Sequence, residues 1–504
     1  MKARILSEKG VMINKMYDLN FDPQTYGIKT CEIGNKKVTY RAFENIVYCA
    51  KPVSLVQKLN IYVPECYYHG EIINGYSLHT APIFAPNTVG GYMEGPAMKI
   101  GEGRFDHQPN SAFEALLHGY VVMCAGIRGR NTGMDSHEFF VGDQKKREAS
   151  EEKRRTGCAP ALIVDMKAAI RYLRYNAGTV PGDVEKIITN GTSAGGALSA
   201  LAGATGNAKE YEPYLKEIGA AAERDDIYAA SCYCPIHNLE HADAAYEWLF
   251  QKETKYHRIN FEMTPNGPKV TPIEGDLDEE QQAMSKELKA AFPDYVNSLR
   301  LKDEAGNELT LEENGEGSFQ DYVMNFVFVS ALKEKATHNS KNRLKSLMVP
   351  ESEIESQDYI TSMGIDMDAY VAKITRMKSI PAFDSLSLDS CENEEFGNEN
   401  VLARHFTEFA AQHSKVNGEC ADASVIRMLN PIPFIQDANC DIAKNWRIRH
   451  GAFDRDTSIA IPVILATILK NKGYQVDFSL PWGLPHSGDY DLEELFAWID
   501  EIAK

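Results

Sequence analysis

The order of apolar and polar positions divides the chain into three stretches. In the first, KKVTYRAFENIVYCA (36–50) and QKLNIYVP (57–64) place apolar side chains at every second position, the period of a strand with one buried face. HTAPIFAP (79–86) reads as an apolar strand that ends in a Gly-rich loop, NTVGGYMEGP (87–96). YVVMCAG (120–126) is apolar throughout, as a strand buried on both faces should be, and the polar loop IRGRNT (127–132) follows it. Helical spacing then appears in APALIVDMKAAIRYLRYNAG (159–178), which closes on glycine. PGDVEKIITNG (181–191) is a strand, AGGALSALAGATG (194–206) a helix and DIYAASCYCPI (226–236) another strand. This alternation predicts βαβ units, hence a parallel sheet with right-handed crossovers.

After about residue 239 the pattern changes. Lys, Glu, Asn and Asp become frequent, helical pieces appear (EEQQAMSKELKAAF, FQDYVMNFVFVSALKEKA), and buried-strand runs stop. The sheet pattern resumes after residue 426: NWRIRHG is a strand, TSIAIPVILATILKNKG a helix, YQVDFSLPW a strand and DLEELFAWIDEIAK a closing helix. The expected architecture is α/β: one core in two parts, residues 1–238 and 427–504, interrupted by a large and mainly helical domain over 239–426. Neither an internal repeat nor a low-complexity tract is visible.

Composition narrows the partners more than the fold. A net charge of -19 over 504 residues repels nucleic acid and anionic membrane, so neither is expected as a partner. The charge run KKREASEEKRR (145–155) reads as a solvated face. The ten cysteines form no paired C-x-x-C pattern, and Cys232 and Cys234 would share one strand face, too close together to bridge. Scattered thiols in a long chain point to a reducing compartment. The first twenty residues contain no apolar leader, and the longest apolar run is too short to span a bilayer. A soluble, cytoplasmic protein is expected. The oligomeric state is not legible, and no metal or organic cofactor is implied.

The chemistry concentrates in KIITNGTSAGGALSA (186–200). Gly191-Thr192-Ser193-Ala194-Gly195 fits G-x-S-x-G between a strand and a helix. In that context the turn is tight, glycines avoid clashes that a Cβ would create, and the serine hydroxyl stands above the sheet edge. The helix behind it aims free N–H groups at the hydroxyl, and the Ala194 amide is placed to donate to a developing oxyanion. A serine hydroxyl is a weak nucleophile without a base. An acid and then a histidine are therefore expected downstream. Asp454 follows a strand in HGAFDRDTS, and His486 follows the next strand in PWGLPHSGDYD. Both stand at C-terminal strand ends, where open α/β sheets hold their sites. Asp456 is a second candidate for the acid. The second oxyanion donor is sought in the loop after the third apolar strand, at Gly90 or a neighbour.

Taken together, NGTSAGGALSA, APNTVGGYMEGP, RHGAFDRDTS, MKSIPAFD and CENEEFG resemble the bacterial tannases, and the resemblance spans most of the chain, the insertion included. It implies an α/β-hydrolase core with a lid, and a serine esterase that cleaves galloyl esters to gallate and an alcohol through an acyl-enzyme. It further implies that Lys378, Glu392 and Asp456 contact the gallate hydroxyls, with Glu394 and Glu395 within one turn of Glu392. Carboxylates accept from phenolic hydroxyls and an ammonium donates to them, so this residue set suits three adjacent hydroxyls. Fungal tannases and related feruloyl esterases carry a cysteine just before the nucleophile and another just after the histidine. Here those positions are Thr192 and Ser487. Two alternatives stay open on sequence: a feruloyl or general carboxylesterase or peptidase of the same fold, and a non-catalytic hydrolase-fold binding module.

Overall fold

Apolar runs such as PIFAP and VVMCA become inner strands of one nine-stranded sheet. The computed structural model describes residues 5–6, 12–13, 16–103, 108–134, 155–264, 267–337, 360–361 and 364–504. In chain order the strands of the large sheet are β1 (Gly27–Ile33), β2 (Lys36–Val47), β3 (Lys58–Pro64), β4 (Pro82–Pro86) and β5 (Val121–Ala125). They continue as β6 (Asp183–Thr192), β7 (Ala229–Tyr233), β8 (Asn445–Arg449) and β9 (Gln475–Ser479). The spatial order is β9-β8-β7-β6-β4-β5-β3-β2-β1. Pairing is antiparallel from β1 through β3 to β5, and parallel from β5 across β4, β6, β7 and β8 to β9. Strands β4, β5, β7 and β8 are buried at every residue. The edge strand β1 was not expected: it is mostly exposed and polar, so it lacks the apolar signal that marks the others.

Because the sheet is parallel beyond β5, the C-terminal ends of β4, β6, β7, β8 and β9 open on one edge. Strand order reverses around β4, and ligands of open α/β sheets bind at such a switch point. Helix Ala161–Tyr175 packs on helix Ala194–Ala204, helix Ser111–Leu117 on the closing helix Leu492–Ala503, and helix Ala460–Asn471 along β9.

Between β7 and β8 the chain leaves the sheet. Helix Leu239–Phe250 comes first and packs on helix Glu279–Ser298, with helix Ser318–Thr337 beyond it. Trp248, Phe292 and Phe319 interlock there and belong to the same core as the sheet strands. A smaller core of Leu277, Met284, Leu288, Ile380, Leu386 and Ala410 lies within the insertion. The insertion also holds an antiparallel hairpin, Lys255–Thr264 with Gly267–Asp276, that the helical reading of this stretch did not contain. Its first strand alternates, with Ile259, Phe261 and Met263 at every second position, but neither strand is apolar throughout, so no buried-strand run marks it.

The charge run falls mainly outside the described residues, at 145–154. Arg155, its last residue, corrects the expectation of a solvated face: it is buried, and it donates to the carbonyls of Leu402 at 2.7 Å, Glu394 at 3.0 Å and Val401 at 3.1 Å. All ten cysteines are free. Among the described residues no helix is long and apolar enough to cross a membrane.

Candidate active site

Strand β6 ends at Thr192 and the next helix begins at Ala194, so the whole turn is one residue, Ser193. Its φ of 62° lies where L-residues are strained. The surroundings hold it there. A Cβ at Gly191 would sit 2.2 Å from the Gly195 carbonyl oxygen, and one at Gly195 would sit 2.5 Å from Asn87 Oδ1 and 2.7 Å from the Val89 oxygen. Glycine is required at both positions because backbone fills that space. The Ser193 N–H donates to the Tyr233 carbonyl at 3.0 Å, and the Ser193 carbonyl accepts from Ile236 at 3.2 Å. The Ser193 side chain does not cap the helix it precedes, which leaves the hydroxyl available.

The loop after β4 closes over this turn. Asn87, which sequence reasoning had not singled out, donates from Nδ2 to the Asn190 and Gly195 carbonyls, both at 3.0 Å. Val89 is thereby laid against Gly195, and Gly90 is the next residue, exposed, with open space where a Cβ would be. Ala194 is buried at the first helical position, where an N–H has no intrahelical acceptor. Ala194 thus adjoins Ser193 directly, and Gly90 follows the residue whose carbonyl lies against Gly195.

Asp454 and His486 meet as the order of motifs predicts. The Asp454 side chain is buried after β8, and its Oδ2 accepts from His486 Nδ1 at 2.7 Å. Its Oδ1 accepts the Asp456 N–H at 2.8 Å, which fixes the carboxylate plane. Burial alone would raise this carboxyl, but His486 and then His450 outweigh it and hold its pKa at about 2. Burial likewise disfavours the His486 imidazolium, yet the Asp454 charge leaves its pKa well above the ordinary imidazole value. The His486 loop lies against the nucleophile turn: a Cβ at Gly488 would stand 1.9 Å from Thr192 Oγ1. The other ring nitrogen, Nε2, faces Cys234 Sγ at 3.9 Å. No hydrogen bond joins Ser193 Oγ to Nε2 among the described residues, and such contacts commonly tighten only with substrate bound. His450, also missed from sequence, is buried with Nδ1 3.6 Å from Asp454 Oδ2.

Lys378 and Asp456 are also together. Lys378 Nζ lies 3.1 Å from Asp456 Oδ1 and 3.8 Å above the Phe383 ring. Burial lowers the ammonium pKa, but Asp456 and then Glu392 raise it further, so the group is held above its usual range. Tyr246 organises the pair. Its hydroxyl accepts the Lys378 N–H at 3.0 Å and donates to the Arg455 carbonyl at 2.9 Å, so one side chain clamps both segments. Nothing in the sequence marks Tyr246 beyond its place on an apolar helix face.

The three neighbouring glutamates separate. Glu394 pairs with Arg130. Glu395 is fully buried, neither carboxyl oxygen has a hydrogen-bond partner among the described residues, and burial pushes its pKa well above the carboxylate range. Glu392, buried on the same short helix, is the one coupled to Lys378.

A second Asp–His–Ser relay lies in the insertion: Asp384 Oδ1 to His405 Nδ1 at 2.7 Å, and His405 Nε2 to Ser414 Oγ at 2.9 Å. There the serine oxygen accepts N–H groups from Gly418 at 2.8 Å and Val416 at 3.4 Å. Its lone pairs are engaged, so this relay fastens a loop.

A family model described as BD-FAE matches residues 152–257, the stretch containing the Ser193 turn. Esterase LipQ of Mycobacterium tuberculosis is 33% identical over 90 residues, and the chain spans only a fifth (20%) of that relative's length. The fold and site define an α/β-hydrolase esterase. Similarity to solved structures is far more extensive. The tannase of Lactobacillus plantarum is 45% identical with a TM-score of 0.87, over 97% of this chain and 100% of that one. A tannin acyl hydrolase in complex with ethyl gallate is 45% identical with a TM-score of 0.85, over 96% of this chain and 99% of that one. The chain belongs to the tannase family.

Proposed function

We propose that this esterase hydrolyses galloyl esters to gallate and an alcohol, with Ser193 as nucleophile, His486 as general base and then acid, and Asp454 as the group that orients the imidazole. Ser193 Oγ attacks the ester carbonyl as His486 Nε2 takes its proton. Negative charge on the carbonyl oxygen is met by the Ala194 N–H and a second N–H from the Gly90 loop. His486 returns the proton to the leaving alkoxide, leaving a galloyl ester on Ser193. Water, deprotonated by Nε2, then releases gallate. Lys378, Glu392 and Asp456 receive the three phenolic hydroxyls, and the insertion serves as a lid that brings Lys378 and Glu392 to the core. The substrate is a small molecule, and ten unpaired thiols support a reducing, cytoplasmic setting.

One observation carries the reading. Asp456, which holds Lys378, donates its own backbone N–H to the carboxylate that holds His486. The group suited to the phenols and the group suited to the ester are thus built two residues apart. The test is gallate release from methyl gallate beside turnover of methyl ferulate and methyl benzoate. Selective turnover of methyl gallate, lost in Ser193→Ala, is expected. Equal rates on all three esters would replace the galloyl pocket with a general esterase site. Failure of a fluorophosphonate to label Ser193 would leave only a binding module.

A further inference from the structure

His486 Nε2, the nitrogen that must accept the serine proton, faces a thiol. Cys234 follows β7, is fully buried, and holds Sγ 3.9 Å from Nε2 and 3.4 Å from the Ser487 carbonyl. Its φ of 35° is unusual for a residue with a side chain, and its N–H is held by the Arg449 carbonyl at 2.6 Å. The Cys234, His486 and Asp454 donor atoms all lie within 4.8 Å of one another. This matches how proteins present histidine to a metal: one ring nitrogen to the ion, the other donating to a carboxylate that fixes the tautomer. Asp454 already fills that role at 2.7 Å.

The spacing suits a soft or borderline divalent ion. With zinc–sulfur near 2.3 Å, zinc–nitrogen near 2.05 Å and a tetrahedral angle, the donors stand about 3.6 Å apart. The observed 3.9 Å needs only a small closure, or none for a larger ion such as cadmium. We propose that Cys234 Sγ and His486 Nε2 form an inhibitory site for a thiophilic divalent cation of the zinc and cadmium class, with water completing the coordination. On binding, the thiol proton and, where the imidazole is protonated, the Nε2 proton pass to solvent, a metal–sulfur bond forms, and the Nε2 lone pair is consumed in the metal–nitrogen bond. That lone pair is then unavailable to Ser193, and turnover stops until the ion is removed. The inhibitory consequence rests on His486 being the general base; the binding itself does not.

Two readouts separate these. First, cadmium is titrated into the full-length protein while the thiolate-to-cadmium charge-transfer absorption is followed. Wild type is expected to show a one-equivalent component that is lost in Cys234→Ser and weakened at least about tenfold in His486→Gln. Thermal melts confirm that each variant is folded. An undiminished component in Cys234→Ser would place the ion on another thiol and overturn the site. Second, fluorophosphonate labelling of Ser193 is timed with added zinc, which avoids chelation by a phenolic substrate. Labelling should slow, recover with EDTA, and need at least about tenfold more zinc in Cys234→Ser, each protein being scaled to its own zinc-free rate. An unshifted zinc curve in Cys234→Ser would also overturn the site. Cadmium bound at Cys234 without any slowing of labelling would uphold the site and instead refute His486 as the base.

Discussion

Replacing Lys378 with methionine removes the ammonium and keeps an unbranched side chain of similar length over the Phe383 ring. The structure supplies the magnitude. An ammonium has three donors, and one is spent on Asp456 Oδ1 at 3.1 Å, which leaves donors for phenolic oxygens. A hydrogen bond to a charged group contributes about 1.5–3 kcal/mol, and at about 1.36 kcal/mol per tenfold one lost contact lowers kcat/KM about 10- to 150-fold. Asp456 and Glu392 also lose their common counter-charge, so the upper part of that range is expected. The assay compares kcat/KM of Lys378→Met on methyl gallate and on methyl benzoate. Methyl gallate should lose the full factor, whereas methyl benzoate, with no hydroxyl to hold, should change less than about threefold, the scale of a neutral surface change of ~0.5 kcal/mol. Equal losses on both esters would mean that Lys378 shapes the site without reading the phenols. Unchanged turnover of methyl gallate would refute its role altogether.

Ser193→Ala should abolish turnover, whereas Ser414→Ala should keep kcat within about threefold and lower the melting temperature, because that hydroxyl contributes about 1 kcal/mol of loop hydrogen bonding. Active-site labelling and thermal melts distinguish the two. Gly488→Ala forces a Cβ into Thr192 Oγ1 and shifts the His486 loop, so kcat should fall about a hundredfold, and Thr192→Ala in the same chain should restore only part of it, because Thr192 Cβ would still stand 2.9 Å away. Asp454→Asn should lower kcat about ten-thousand-fold. The acid limb of its residual activity should move to lower pH, since burial alone depresses the His486 pKa once the Asp454 charge is gone. The same pair affects folding. Its raised imidazole stabilises fully below the unfolded histidine pKa of about 6.5 and loses this as pH rises through the folded value. Its depressed carboxyl stabilises above about 3.9 and loses this as pH falls through its own folded pKa near 2. The melting-temperature gap between wild type and Asp454→Asn should therefore be widest between about pH 4 and 6.5.

What the sequence reveals follows from how local each signal is. Strands β4, β5 and β7 are legible because burial on both faces leaves a nearly unbroken apolar run, whereas β8 is equally buried yet carries Asn445, Arg447 and Arg449. Ser193 is legible from G-x-S-x-G between a strand and a helix, and Asp454 and His486 from lying in the loops that follow the next two strands of the sheet pattern. Features decided by distant partners are not. Arg155 sits in a run of charges and looks solvated, yet its donors satisfy carbonyls some 240 residues away (|i−j| = 239 to Glu394). The surroundings of Glu392, Glu394 and Glu395 are equally hidden: Arg130 pairs with Glu394, and burial without a partner pushes the Glu395 carboxyl well above its usual range. The hairpin between Lys255 and Asp276 escapes because the alternation of Ile259, Phe261 and Met263 is short and Pro268, Pro272 and Gly275 break the pattern of the second strand.

The two Asp–His–Ser relays show that donor–acceptor order does not by itself define a nucleophile. The His405–Ser414 link at 2.9 Å is a complete hydrogen bond, whereas the Ser193 pair is not yet closed. Linkage alone would select Ser414 over Ser193. The difference lies in what each oxygen still has to offer. Ser414 Oγ accepts backbone N–H groups, which engage the lone pairs that attack requires. Ser193 sits at a φ of 62°, a conformation that costs about 1–3 kcal/mol. Asn87, Gly191 and Gly195 enforce that strain by leaving the turn no other room. Strain of this kind keeps the Ser193 hydroxyl out of local capping bonds and in front of a helix N-terminus. The fold expends stability at Ser193 to leave one oxygen unsatisfied, and at Ser414 it satisfies the oxygen and gains a fastened loop.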